Sequence, residues 1–406
     1  MAAALIAACA AAAGAEERLT FAEAEALMLS ASPQAASSAA TLEAARKKAD
    51  SARAALYPYL SAKGSYYREG TSAAPAYDYY SYGLYASQPL FAPASAAALR
   101  SARASLDYRQ AAYDKTASGL RYALAAAFAD IVCARETVKL SEETLKRRAE
   151  NVELIRIKYQ AGRENKAALL ETEATLQAAR WQHQRYLKSL RLLERGLNRL
   201  LGRPAQSPVP ELAPPAPQEP PADLSAFAAE LDRHYSLRGA RASLAEAAAS
   251  RDSSRGAKLP SADLSANYVW SGYDWPSSPN SWAAGASVTL PLFSSGRLSA
   301  DLDAAKKREA AAGADLRDAA DQVSLDAEDA FLSWREARSW LDVAAASQQA
   351  AEARAWLVRK QYLAGQSSYF EWRNVEEQLI NAKNQSLAAG RDLAKAGAAF
   401  RQSIGE

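Results

Sequence analysis

Side chains able to carry proton transfer or to hold a metal are few in this chain and far apart. The only histidines are His183 and His234, and neither has an acid or a cysteine nearby at ligand spacing. The two cysteines, Cys9 and Cys133, sit in different surroundings. Cys133 follows Ile131 and Val132 in a helical stretch and reads as a buried or half-buried free thiol. No glycine loop is present to cradle a phosphate, and the many serines lack a base and an oxyanion turn. The expectation is therefore no enzyme, no cofactor and no metal site. What remains acts through charge and backbone shape. Asp315, Asp318, Asp326 and Asp329 lie near one face of a helical stretch. Either they line a lumen and attract cations, or they pair with basic helices, the first half being richer in Arg100, Arg103, Arg109 and Arg121. Two runs, Tyr159-Gln160-Ala161-Gly162 and Tyr362-Leu363-Ala364-Gly365, end helical stretches on a glycine. Glycine takes the backbone conformation that lets two antiparallel helices meet in a tight turn.

The elements that carry these residues are long. Leu99, Leu106, Tyr113 and Leu120 are spaced by sevens; after an eleven-residue step through Leu124 and Phe128, so are Ile131, Val138, Leu145, Val152 and Tyr159. That is a coiled-coil seam with one stutter. At about 1.5 Å per residue it predicts a rod on the order of 100 Å, too long for a compact core. Hydrophobic residues make up 49% of the chain, much of it alanine, which favours helix and lets helices approach closely. The net charge of +3, with both signs interspersed, gives no reason to expect a nucleic-acid partner. Beyond residue 15 no run approaches the roughly 18 apolar residues of a membrane helix, so any membrane crossing must use strands.

Residues 1–15 are apolar and end in Ala13-Gly14-Ala15, like a signal-peptide cleavage site. Ile6-Ala7-Ala8-Cys9 also resembles a lipobox, which would make Cys9 a lipidated first residue; both readings stand. Thr20 and Glu23 form a capping box that starts a helix. From Tyr57-Pro58 the period changes to two. Leu60, Ala62, Gly64 and Tyr66 alternate with Ser61, Lys63, Ser65 and Tyr67, and Tyr80, Tyr82, Leu84 and Ala86 alternate with Ser81, Gly83, Tyr85 and Ser87. The hairpin either lies on helices in water or crosses a membrane. Its tyrosine density and strand length of about nine residues suit a tilted crossing with an aromatic girdle.

The chain then repeats itself. Pro58 and Pro260, Pro89 and Pro291, and Phe91 and Phe293 are offset by 202; Phe128 and Phe331, Tyr159 and Tyr362, and Gly162 and Gly365 are offset by 203. The expected organisation is a first repeat over 16–202, with hairpin 60–88, long helix 95–160 and helix 166–201. A proline-rich linker covers 203–222. A second repeat spans 223–406, with hairpin 262–290, long helix 297–362 and helix 366–400. Four strands cannot close a membrane barrel, and an open edge in lipid would cost several kcal/mol per unpaired backbone group. The barrel must be shared between chains.

The doubled architecture, Gln88-Pro89-Leu90-Phe91 with Leu290-Pro291-Leu292-Phe293, and the paired Tyr-x-x-Gly turns resemble the outer-membrane efflux protein (TolC-like) family. The resemblance implies a mainly α fold with a membrane β part: a long antiparallel α-helical coiled-coil barrel, with four strands per chain given to a shared twelve-stranded outer-membrane β-barrel. It implies a homotrimer in outer-membrane lipid, with the helical tunnel in the periplasm. Its function there is the exit duct of a tripartite efflux pump or type I secretion system, working with a periplasmic adaptor protein and an inner-membrane transporter. By the same resemblance, Tyr159, Gly162, Tyr362 and Gly365 mark the periplasmic tip where the adaptor docks. Glu371 and Asn374 occupy the positions of an acidic ring that narrows the tunnel in some relatives, and Asn374 departs from the acidic pattern. The alternative is a structural periplasmic tether or scaffold without a pore.

Overall fold

The computed structural model describes residues 18–72, 74–213, 219–221 and 223–406. The expected signal segment at 1–15, Cys9 within it, and part of the proline-rich segment lie outside those residues. In chain order the elements are β1 (Arg18–Thr20), α1 (Phe21–Ala31), α2 (Pro33–Ala54), β2 (Tyr59–Thr71), β3 (Ala74–Phe91), α3 (Pro93–Gln160), α4 (Lys166–Leu200) and β4 (Glu211–Ala213). After a 3₁₀ turn at Leu224–Phe227 come α5 (Ala228–Asp232), α6 (Tyr235–Gly256), β5 (Ser261–Gly272), β6 (Asn280–Thr289), α7 (Arg297–Leu363) and α8 (Tyr369–Ser403). α3 and α7 run 68 and 67 residues, each about 100 Å at 1.5 Å per residue. Two compact units are made of interleaved segments: one of the residues up to Ser37 with Lys115–Asp232 and Val323–Glu406, the other of Ser38–Asp114 and Arg233–Gln322.

The second of these units holds the sheet, a continuous antiparallel ribbon in the order β2-β3-β5-β6. Its alternation sorts the side chains by face. Leu60, Ala62 and Tyr66 share a face with Leu84, Ala86, Leu264, Tyr268, Trp282 and Val288, because each stands opposite another of this set or in step with it. Ser61, Lys63, Ser65, Ser81, Ser87, Asp263, Ser265, Asn267 and Ser287 occupy the other face, together with Tyr59, Tyr67, Tyr79 and Tyr85. A sheet whose one side is largely apolar and whose other side carries serines, charges and tyrosine hydroxyls can separate lipid from water. Below the strands, the start of α3 packs on α6 through small residues. Ala97, Ala104 and Ala111 are buried, as are Ala242, Ala249 and Gly256 on α6. Leu99, Leu106 and Tyr113, the seam expected in this half, are only half-buried. Alanine at this seam lets the backbones come close, and the larger side chains flank the contact.

The other unit contains three apolar clusters. In one, Ala24 and Met28 of α1 meet Leu120, Leu124, Phe128 and Ile131 of α3 and Leu197 at the end of α4, with Leu212 of β4 closing the cluster. Phe21 sets its ring edge-on to Phe128 at 5.7 Å. Contrary to the expectation that no run beyond residue 15 approaches a membrane helix, α3, alone among the described residues, has a window long and apolar enough to cross a membrane; Leu120, Leu124, Phe128 and Ile131 put its apolar face into this core. α1 begins as its sequence specifies: the Glu23 N–H donates to the Thr20 hydroxyl, and the Thr20 N–H donates to the Glu23 carboxylate at 3.0 Å.

The proline-rich segment is not a free tether over its described part. β4 pairs in parallel with β1, Arg18 opposite Glu211 and Thr20 opposite Ala213. The Arg135 guanidinium donates to the carbonyls of Val209 and Pro210 at 2.9 and 3.0 Å, and Asn198 Nδ2 donates to Ser207 O at 2.7 Å. Proline lacks an N–H but leaves its carbonyl free to accept, as Pro210 does here; Val209 and Ser207 beside it accept in the same way. In a further cluster Leu224, Phe227 and Leu231 lie on Phe331 and Trp334 of α7 and on Leu393 and Phe400 of α8.

Candidate functional site

Both helix hairpins turn on glycine in the same way. Gly162 has φ +70° and Gly365 φ +76°. The Arg163 N–H donates back to Lys158 O at 2.8 Å, and the Gln366 N–H donates to Gln361 O at 2.8 Å, satisfying carbonyls at the ends of α3 and α7. No atom lies within 4 Å of where a Cβ would stand on either glycine. Backbone conformation, not crowding, therefore requires glycine here. The following helices are capped alike: Asn165 Oδ1 accepts from the Ala168 N–H at 2.8 Å, and the Ser368 hydroxyl accepts from the Glu371 N–H at 3.2 Å.

The two tyrosines that precede these glycines in equivalent places have different surroundings. Tyr159 is 38% exposed, whereas Tyr362 is 2% exposed. The Tyr362 ring stacks on Trp372 of α8, centroids 4.6 Å apart and planes 9° from parallel. On its other side the Lys158 ammonium stands 3.6 Å from the ring centroid. The Tyr362 hydroxyl donates to Glu164 Oε1 at 3.0 Å, so this residue ties the second hairpin to the turn of the first. Burial, and the adjacent Glu164 carboxylate, raise its phenol far above the ordinary range, which keeps it a neutral donor. Around it Ile155, Ala168, Val358, Tyr369, Val375 and Leu379 form a core of their own. Tyr369 accepts from the Thr172 hydroxyl at 2.8 Å, and Arg373 forms an ion pair with Glu171.

Sequence reasoning missed Trp372, Lys158 and Glu164 as partners of Tyr362. A tryptophan in α8 with Tyr362 and Tyr369 nearby in sequence was the available signal. Glu371 and Asn374 are both exposed. Glu371 already accepts from the Ser367 hydroxyl at 2.9 Å and has its N–H on the Ser368 cap, so it helps start α8. Asn374 Oδ1 lies 3.5 Å from a guanidinium nitrogen of Arg373, so a cation adjoins the position where the acidic pattern is broken.

Asp315, Asp318, Asp326 and Asp329 are all exposed. Among the described residues Asp315, Asp318 and Asp329 form no salt bridge, and two of the four first-half arginines pair with other acids: Arg100 with Asp252 at 3.0 Å and Arg121 with Glu25 at 2.6 Å. The Cys133 thiol points at Leu387 O, and burial pushes its pKa up, which suits an inert side chain. His183 Nδ1 lies 2.8 Å from the buried Ser141 hydroxyl, and among the described residues no carboxylate is hydrogen-bonded to that histidine. No group of histidine, cysteine and acidic residues among the described residues is placed to hold a metal.

Comparison with curated proteins returns no significant match. Among solved structures, the chain is similar to the outer membrane protein VceC of Vibrio cholerae, at 19% identity and a TM-score of 0.82, covering 95% of this chain and 96% of that one. It is also similar to the CmeC outer membrane channel of Campylobacter jejuni, at 16% identity and 0.83, covering 95% and 85%. The open state of the MtrE outer membrane channel of Neisseria gonorrhoeae gives 23% identity and 0.82, covering 95% and 88%. These likenesses establish the fold: long helices joined to a β part, as in TolC-like outer membrane channels. The outer membrane efflux protein family matches residues 26–203 and again 228–406. Each match spans a hairpin, a rod and a glycine-closed tip, so the doubled plan of the chain is the family's own, and the chain belongs to the outer membrane efflux protein family.

Proposed function

We propose that this protein is the exit duct of a tripartite efflux pump or type I secretion system. It passively conducts small molecules or secreted polypeptide from a periplasmic transporter assembly to the outside. Its family is one of outer membrane efflux channels, not enzymes. The observation that carries the reading is the sheet: four strands, one apolar and one polar face, and two unpaired edges at β2 and β6. Three copies supply twelve strands, enough to close a barrel wider than one filled by its own side chains. The rods then continue from the strands as the walls of a periplasmic tunnel.

The tips suit docking of a periplasmic adaptor. Tyr159, Gly162 and Gly365 are exposed, while Tyr362 and Trp372 hold the two turns together behind them. Glu371 and Asn374 lie nine residues or fewer beyond Gly365 and contribute to any constriction there. Transport energy comes from the inner-membrane partner.

Purified protein reconstituted in planar bilayers is the direct test. The expected result is a detergent-solubilised trimer that gives discrete conductance steps. A protein that stays in water without detergent and passes no current would overturn the duct and favour a periplasmic tether.

A further inference from the structure

The sheet contains two copies of one hairpin. Tyr59 stands opposite Ser87 in the first and Ser261 opposite Thr289 in the second. Adding the repeat offset of 202 to the first pair gives the second. The same holds from Ala62 opposite Leu84 to Leu264 opposite Ala286, and from Tyr66 opposite Tyr80 to Tyr268 opposite Trp282. The repeats therefore agree in register as well as in sequence. Between the hairpins, β3 meets β5 with Tyr82 opposite Trp270, Leu84 opposite Tyr268 and Ser87 opposite Ser265. This junction joins the second strand of one repeat to the first strand of the next. β6 is likewise the second strand of its repeat, and β2 is the first. A further copy of the chain thus presents to β6 the same kind of edge that β5 presents to β3.

We infer that β6 of one copy pairs antiparallel with β2 of the next in the register carried over from the β3–β5 junction: Trp282 opposite Gly70, Ala284 opposite Arg68, Ala286 opposite Tyr66, Ser287 opposite Ser65 and Thr289 opposite Lys63. This rests on the shared-barrel reading above and makes it specific. Two observations independent of the repeat agree with it. The register keeps Trp282, Ala286 and Val288 on the same face as Leu60 and Tyr66, whereas a slip by one residue would bring the polar face of β6 onto the apolar face of β2. It also sets large against small: Trp282 against Gly70, Ala286 against Tyr66, and Gly285 against Tyr67. Trp282 is 74% exposed in the single chain, and a glycine opposite it leaves room for the indole to lie across the neighbouring strand. The paired backbones remove the two bare edges that lipid would not tolerate.

Disulfide trapping reads the register directly. Opposed residues have Cα atoms roughly 4.5–5.5 Å apart, within disulfide reach, while diagonal neighbours two residues on lie at about 7–8 Å. Within one chain Ser65 and Ser287 are separated by β3 and β5, about 14 Å at ordinary strand spacing, so a disulfide between them must join two chains. In a Cys133→Ser background, Ser65→Cys is combined with Ser287→Cys, with Gly285→Cys or with Thr289→Cys. Tyr66→Cys with Ala286→Cys repeats the test on the other face. After mild oxidation of the membrane-embedded protein, non-reducing gels should show covalent dimers and trimers for Ser65/Ser287 and Tyr66/Ala286. Their yield should be at least about five-fold that of the two offset pairs, given the distance limits on a disulfide. A better yield from Gly285 or Thr289 overturns the register and leaves the shared barrel in place. No covalent product from any pair overturns the register and the shared barrel together.

Discussion

Tyr362 does two jobs at the second tip, and they separate by substitution. Its ring fills the space between Trp372 and Lys158, and its hydroxyl reaches Glu164. Tyr362→Ala should weaken the tip locally by about 3–5 kcal/mol, the usual cost of emptying a buried aromatic site. Tyr362→Phe, which removes only the hydroxyl contact, should cost about 1 kcal/mol. Tyr159→Ala, at the equivalent but exposed position, should change stability by less than about 0.5 kcal/mol. Amide hydrogen exchange over residues 369–379 reads all three; equal effects at Tyr159 and Tyr362 would contradict their assigned places. Gly365→Ala meets no atom, so its cost is that of an alanine held in the left-handed region, about 1–2 kcal/mol. Faster exchange at the 364–368 turn is the expected sign of it.

At the scale of elements, α1 depends on a carboxylate. Hydrogen bonds from the Thr20 backbone, and then from its hydroxyl, hold Glu23 below the ordinary carboxylate range. A carboxyl whose pKa is lower folded than unfolded adds stability that is complete above the unfolded value. That stability disappears as pH falls through the folded value. Acidification below the normal glutamate range should therefore loosen α1, with its Ala24 and Met28, before the rest of the core. The thermal midpoint of Glu23→Gln should fall less than the wild type's between pH 6 and pH 3; an equal fall in both would remove the cap from the explanation. The rods show a different economy of side chains. Where α3 meets α6, alanine and glycine occupy the contact; where α3 meets α1 and α4, leucine, isoleucine and phenylalanine do. One helix thus changes from close to wide packing along its length, and the eleven-residue step in its heptads, Leu120 to Ile131, lies within the wide-packed part.

For the whole molecule, the assembly decides what the single chain leaves open. Asp315, Asp318 and Asp329 stand exposed without an intrachain salt bridge among the described residues, in a chain whose net charge is only +3. In a tube of such chains, acids on the inner wall would raise the local cation concentration through a potential of several kT. The expected result is a reversal potential across a salt gradient that favours cations and moves toward zero when all three are changed to asparagine. An unchanged potential would place these acids on the outside, against neighbouring basic helices.

The sequence alone determined the two long helices, the glycine turns, the hairpins with their two faces, and the repeat, because each of these follows from local periodicity or from backbone conformation. Heptads, alternation and left-handed glycine need no knowledge of distant neighbours. Only the tertiary structure decided that Tyr362 is a buried clasp and Tyr159 an exposed side chain, because that difference comes from Trp372, Lys158 and Glu164 arriving from other segments. The same is true of the proline-rich segment. Nothing local marks Glu211–Ala213 as a strand; it pairs because Arg18–Thr20 lies beside it, and Arg135 and Asn198 hold the preceding residues through the carbonyls of Ser207, Val209 and Pro210. The alanine seam at Ala97, Ala104 and Ala111 was hidden for a similar reason. Small residues are common along the whole rod, and only the approach of α6 shows which of them form the contact.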